Sequence, residues 1–195
     1  MARRGRPPGF DRDAAADAAM RLFWRRGYEG TAVSDLTAAL GVGPPSLYAA
    51  FGSKEGLFRA AVARYLAGPG GFAARAAADA PTGREAVRRV LRAAAAAYTD
   101  PADPPGCLCV LAAATCGPGS AAVGGFLAGV RRANEASLRA LLECAPDLPD
   151  GAGPAVLAKF VATVLQGMSV QARDGATRGE LEAVGELALR AWPPG

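Results

Sequence analysis

Residues 33–54, VSDLTAALGVGPPSLYAAFGSK, admit few backbone arrangements. Val33, Leu36 and Leu40 recur at helical spacing, and Gly41 follows at once, a residue that takes the positive φ ending a helix without steric cost. Pro44 and Pro45 then open a second short helix, where a missing N–H is harmless, and Leu47 and Phe51 share one face of it. The pattern predicts helix, tight turn, helix. Val33, Leu36, Leu40, Val42, Leu47 and Phe51 hold the inner faces, which turns Pro45, Ser46, Tyr48 and Ala49 outward. Such a face fits a DNA major groove, although an αα-hairpin with a glycine turn also serves as plain packing in many helical proteins.

The distribution of charge bears on that choice. Residues 1–67 carry 10 Lys or Arg against 6 Asp or Glu, while residues 68–195 carry 12 of each, so the net charge of +4 belongs to the first third. A polyanionic partner should meet that third, although a basic end also aids solubility or adheres to membrane surfaces. At its start, Arg4-Gly5-Arg6-Pro7 stands among glycine and proline and cannot form a helix. The tetrapeptide resembles the AT-hook, a slim arm for the narrow minor groove of A·T-rich DNA, where negative potential is concentrated; the alternative is a basic tail without a defined contact. No apolar run reaches the roughly 18 residues of a membrane span. The Arg-rich start lacks the apolar segment of a secretory signal, which predicts a cytoplasmic chain.

Histidine is absent. That removes Ser-His and Cys-His nucleophile pairs, histidine acid–base chemistry and ordinary His-containing zinc sites, and it counts against an enzyme. Half the residues are apolar, alanine is abundant and strand-like β-branched runs are nearly missing, so the fold class expected is all-α.

A first helix is predicted from the Asp11 cap to Arg26, with Ala15, Ala18, Ala19, Leu22 and Phe23 on its buried side. Thr31 is expected to cap the second helix. Ser53 caps the fourth, whose first turn carries Lys54, unfavourable for the helix dipole unless a phosphate is its partner. Over residues 27–58 the string G-Y-E-G-T-A-V-S-D-L-T-A-A-L-G-V-x-x-x-S-L-Y-x-x-F-x-S-K-E-x-L-F closely resembles the DNA-binding region of the TetR family of bacterial transcriptional repressors. The resemblance is specific over about residues 10–67 and weaker beyond. It implies that Thr31, Tyr48 and Lys54 contact the DNA backbone and that Pro44, Pro45, Ser46 and Ala49 face bases. Ala49-Ala50 replaces the histidine or other polar residue of many relatives, which leaves methyl contacts, Arg4 and Arg6 of the arm, and DNA shape to set sequence preference.

A domain boundary is expected at Gly68-Pro69-Gly70-Gly71, separating a DNA-binding domain (1–67) from an effector and dimerisation domain (68–195). Thr82 and Glu85 form a capping-box pattern. Residues 107–116, CLCVLAAATC, carry no charge and predict a helix buried on all sides, either core or the wall of a ligand pocket. Expected lining residues are Cys107, Leu108, Leu111, Phe126, Phe160, Val164 and Met168. The four cysteines read as free thiols. Cys107 and Cys109 also invite a redox, electrophile or soft-metal reading, against which stand the poor helical geometry of an i, i+2 pair and the lack of nearby cationic side chains. Ser120 is expected to cap a helix whose arginines 131, 132 and 139 form a solvated face. The last two helices, about 154–173 and 177–191, carry more apolar stripe than one chain can cover and predict a homodimer joined as a four-helix bundle.

The whole reading is a ligand-responsive regulator that binds double-stranded operator DNA and is released by a small apolar effector, without cofactor, metal site, catalytic residue or membrane partner. The rivals are a thiol or soft-metal sensor on the same fold and a helical enzyme acting on an apolar substrate.

Overall fold

The computed structural model describes residues 11–149, 151 and 153–193, and all regular elements among them are helical. Helix α1 (Arg12–Arg26) starts where the Asp11 carboxylate accepts the amides of Asp13 and Ala14 at 3.0 and 3.1 Å. Its buried face is wider than the expected stripe, taking in Ala16, Met20 and Trp24 as well as Ala15, Ala19 and Phe23. The reason is that α1 packs against both α4 (Lys54–Ala67) and α7 (Leu108–Ala114).

Helices α2 (Val33–Leu40) and α3 (Pro44–Phe51) form the expected pair. Gly41 joins them at φ 64°, ψ 29°, a left-handed conformation that costs other residues about 1–2 kcal/mol. Leu36, Leu47 and Phe51 are buried, and Leu40 and Val42 close over the same core. Ser53 caps α4 through the Gly56 amide at 2.9 Å. Beyond α4, a short 3₁₀ turn, Pro69–Gly71, leads directly into α5 (Phe72–Ala77), so the glycine-rich junction is itself helical.

Helix α6 (Gly83–Tyr98) is capped from two sides. Thr82 accepts the Glu85 amide at 3.1 Å, and Asp147 accepts those of Gly83 and Arg84 at 2.6 and 3.1 Å. Glu85 turns to Arg88 and Arg89, one turn further along its own helix. After α7 come α8 (Ala121–Glu143), α9 (Pro154–Arg173) and α10 (Arg178–Ala188), the last opened by a Thr177–Glu180 capping box. By length and composition α9 meets the requirements of a membrane span. Here it packs against α6, α8 and α10, and its Lys159 pairs with Glu135.

Two apolar cores result. One unites α1–α4 with Leu108, Cys109 and Ala112 of α7 and with Val123 and Leu127 at the start of α8. The other joins α6, the end of α8, α9 and α10. Helix α7 lies between them rather than inside one, with Ala114 exposed at its end, so it is not covered on every side as expected. Cys107, immediately before α7, packs against both cores.

Within the first core, the fully buried Phe58 meets Phe23 and Tyr28 edge-on, with centroids 5.0 and 5.2 Å apart. Phe58→Ala should lower the unfolding free energy by about 3–5 kcal/mol, measured by urea titration with circular dichroism.

Candidate nucleic-acid interface and effector cavity

Packing Leu47 and Phe51 inward leaves Pro44, Pro45, Ser46, Tyr48 and Ala49 of α3 all exposed. Tyr48 is 45% exposed, and among the described residues before α9 it is the one large apolar side chain left so open. Pro44 and Pro45 bring no amide hydrogens to the start of α3, and the amides of Ser46 and Leu47 both return to the Gly43 carbonyl. Helix α3 thus presents side chains outward, not a donor-rich terminus.

Two expected backbone contacts sit differently. Thr31 is fully buried and its hydroxyl donates to the Gly27 carbonyl at 2.7 Å. The cap of α2 is Ala32, whose amide donates to Asp35 at 3.0 Å. Lys54 is half-buried, with Nζ 4.3 Å from the centre of the Tyr28 ring. Burial lowers its pKa, against the pull of Glu29 in the other direction. A lysine at the start of α4 therefore has an internal reason, attraction to a ring face, besides any phosphate. Arg4 and Arg6 lie outside the described residues.

Contacts between the two cores went unforeseen. The Glu29 carboxylate, in the turn after α1, accepts the Gly117 amide at 2.7 Å and the Ser120 hydroxyl, and the Ser120 bond is the main cause of its lowered pKa. Ser120, expected to cap α8, makes no side-chain cap there. Arg21 reaches the Ala102 carbonyl at 2.9 Å and Asp103 at 2.8 Å, and Arg173 donates to the Arg25 carbonyl at 2.9 Å. Gly27, at φ 73°, leaves room for Thr115, whose hydroxyl would stand 2.6 Å from any added Cβ. The end of α1 is thus tied to segments 81 to 148 residues away, a separation that no local pattern reports.

The structure also holds a cavity of about 580 Å³. Its walls are Tyr65 and Leu66 of α4, residues 70–74 and 77–78, Val90 and Tyr98 of α6, Cys107, Cys109 and Val110, and parts of α8 and α9. Of the expected lining residues, Cys107 alone is present. Leu108 and Phe126 belong to the first core, with Phe126 under the Arg59 guanidinium at 4.3 Å. Met168 is buried in the second core, Val164 packs against it, Phe160 is exposed and Leu111 is half-buried away from the cavity. The misassignment has a geometric cause. Successive helical residues turn by 100°, so this short stretch sends Leu108 and Ala112 into the first core while Cys107 and Val110 line the cavity.

The Cys107 thiol is drawn down to about 7, chiefly by a hydrogen bond from the Cys109 thiol, with help from the Tyr65 hydroxyl and the Val110 and Cys109 amides, against the effect of burial. The same thiol–thiol bond pushes Cys109 well up, and burial raises Tyr65 and Tyr98. The lack of cationic side chains nearby in the sequence does not prevent this, since the causes that lower the thiol are neutral donors. Arg131, expected in solvent, instead lines the cavity and donates to the Cys109 carbonyl at 3.0 Å.

Comparison with known proteins bears on these two features. The family described as bacterial regulatory proteins, tetR family, matches residues 16–61. The HTH-type transcriptional repressor ComR of Escherichia coli K12 is 38% identical over 197 residues, covering 97% of this chain and 92% of ComR. The chain belongs to the TetR family. A second TetR-type repressor of that organism, BdcR, is 32% identical over 96% of this chain and 91% of its own length. Among solved TetR-family structures, CifR complexed with 26 bp double-strand operator DNA superposes with a TM-score of 0.92 at 48% identity, covering 96% of this chain and 100% of CifR.

For this TetR-family chain the thiol geometry predicts a pH profile. A lowered thiol pKa means that thiolate is present above pH 7 and is lost below it. Alkylation of Cys107 by iodoacetamide, followed by peptide mass spectrometry, should therefore reach half its maximal rate near pH 7 rather than at the ordinary thiol value of about 8.5. Tyr65→Phe removes a donor and should move that midpoint upward.

Proposed function

We propose that this chain is a one-component repressor whose homodimer binds a two-fold symmetric operator through α2 and α3 and leaves it when a small apolar molecule fills the cavity. The observation that carries the reading is α4. This single helix of 14 residues, about 21 Å long, places Leu57 and Phe58 under the helix-turn-helix and Tyr65 and Leu66 in the cavity wall. An occupant pressing on its end tilts α3, and a ligand that prefers the tilted arrangement draws the population away from DNA. Residues 1–67 form the DNA-binding part and residues 68–195 the effector and dimerisation part. The chain is a regulator, not an enzyme, and works in the cytoplasm, where its DNA is.

Exposed apolar side chains support the dimer. Val156, Phe160 and Val170 on α9 and Val184 and Leu187 on α10 are the exposed large hydrophobics besides Tyr48 among the described residues, with Val156 at 74% and Leu187 at 61%. Along α9 the exposed series Val156, Phe160, Thr163, Gly167, Val170 advances in steps of four and three, the seam of a helix that packs lengthwise on another. Two such helices from each protomer make a four-helix bundle.

Fluorescence anisotropy with labelled DNA from upstream of the chain's own reading frame, in the presence of nonspecific competitor and at two salt concentrations, tests the reading. Tight, competitor-resistant binding at two protomers per site, or a multiple of two, is expected; equal, salt-sensitive binding to every sequence would refute operator recognition. Ser46→Glu places a carboxylate on the outward face of α3 and should weaken operator binding by at least about tenfold without changing helix content. Leu187→Asp should yield monomers in light scattering, with operator binding lost alongside.

A further inference from the structure

The cavity carries a positive charge that no carboxylate among the described residues neutralises. Arg131 of α8 is half-buried and is the one basic side chain lining the cavity among those residues. One of its N–H groups goes to the Cys109 carbonyl at 3.0 Å, which leaves its other donors and its charge without a partner there. Glu135, one turn further along α8 and in the same wall, is already matched by Lys159. A half-buried guanidinium without a counter-ion gives up hydration uncompensated, and an anion that reaches it supplies the compensation.

A second donor faces the same corner. Tyr98 of α6 is 4% exposed and lines the cavity, and its hydroxyl has no hydrogen-bond partner among the described residues. The Tyr65 hydroxyl, by contrast, is committed to the Cys107 sulfur. Tyr98 lies near Cys109, whose carbonyl holds Arg131, so a phenol and a guanidinium from different helices come to one place. A carboxylate suits that pair, since it only accepts hydrogen bonds and has lone pairs enough for both. The rest of the wall is largely apolar, with Leu66, Phe72, Leu138 and Leu141 among its side chains. Asn134, exposed and three residues beyond Arg131, lines the wall too, so the charged end of the cavity reaches solvent and an anion there is not fully dehydrated.

We propose that the effector is a monocarboxylate with an apolar body, its head held by Arg131 and Tyr98 and its body by the apolar wall; the proposal rests on the repressor reading above and names the effector class. The body lies against Tyr65 and Leu66 of α4, and the head, fixed on α6 and α8, gives it a footing from which to press on that helix. An uncharged molecule of the same shape fills the apolar wall but leaves Arg131 unpaired, so it binds more weakly and shifts the population less. A second charge on the body would be buried among apolar side chains, which restricts the effector to one acidic group.

The test is isothermal titration calorimetry on the full chain at pH 6, where aliphatic carboxylic acids are ionised and the Cys107 thiol is largely protonated. Octanoate and 4-phenylbutanoate are the probes, and 1-octanol and 4-phenyl-1-butanol their uncharged counterparts. At least one acid should bind once per protomer, about tenfold or more tighter than its alcohol, and should lower operator affinity in the anisotropy assay by about tenfold or more. Arg131→Gln keeps a donor for the Cys109 carbonyl but not the charge, and should abolish the preference for acid while leaving the alcohol within about twofold; a merely structural role would weaken both alike. Tyr98→Phe should weaken the acid by about three- to tenfold with helix content unchanged. Alcohols that bind as tightly as the acids, no binding of either acid, an undiminished acid preference in Arg131→Gln, or a bound acid that leaves the operator occupied would each overturn the proposal while the repressor reading stands. Failure to bind the operator before any acid is added would instead overturn the repressor reading, and the calorimetry would still decide whether the cavity takes carboxylates.

Discussion

An uncharged helix must be covered: α7 packs into the first core, and Cys107, the residue just before it, packs against both cores. Leu108, Cys109 and Ala112 complete the interior of the helix-turn-helix half, and Cys107 just before them also packs against the second core. The two halves therefore cannot shift independently, because any separation would expose apolar surface at a cost of about 25 cal/mol per Å².

The polar ties reinforce this shared burial and give it direction. Glu29, Arg21 and Arg173 connect the end of α1 to the loops around α7 and to the end of α9. They are largely exposed, so their part is to set orientation more than to add stability. The cavity lies on the opposite side of α7 from the buried Leu108, against the end of α4. A molecule entering it meets the helix that supports α3 and the segment that fastens both cores.

The motif half was legible because its signals are local. Asp11 and Ser53 cap the helices they precede, Gly41 takes the left-handed turn, and the inner and outer faces of α2 and α3 divide as their spacing predicts. Thr31 was misplaced because a hydroxyl next to a helix start reads as a cap whether it points out or in; here the Gly27 carbonyl claims it. Lys54 looked misplaced on its own helix because the ring that receives it, Tyr28, lies on another segment. The apolar excess of the last two helices was visible as composition, and the structure leaves Val156, Val184 and Leu187 in the open.

Periodicity, caps and turn residues are set by interactions within a few positions along the chain, so the sequence by itself determined the helices, the outward face of α3 and the family. The cavity, its cysteine and the ties across the cores depend on which side of a short helix meets which distant neighbour. Seven residues of α7 make fewer than two full turns, and hydropathy alone does not distinguish a side facing a core from a side facing a pocket. Only the tertiary packing turned Cys107 toward the cavity, brought Arg131 in from the expected solvated face and set Tyr65 against the thiol.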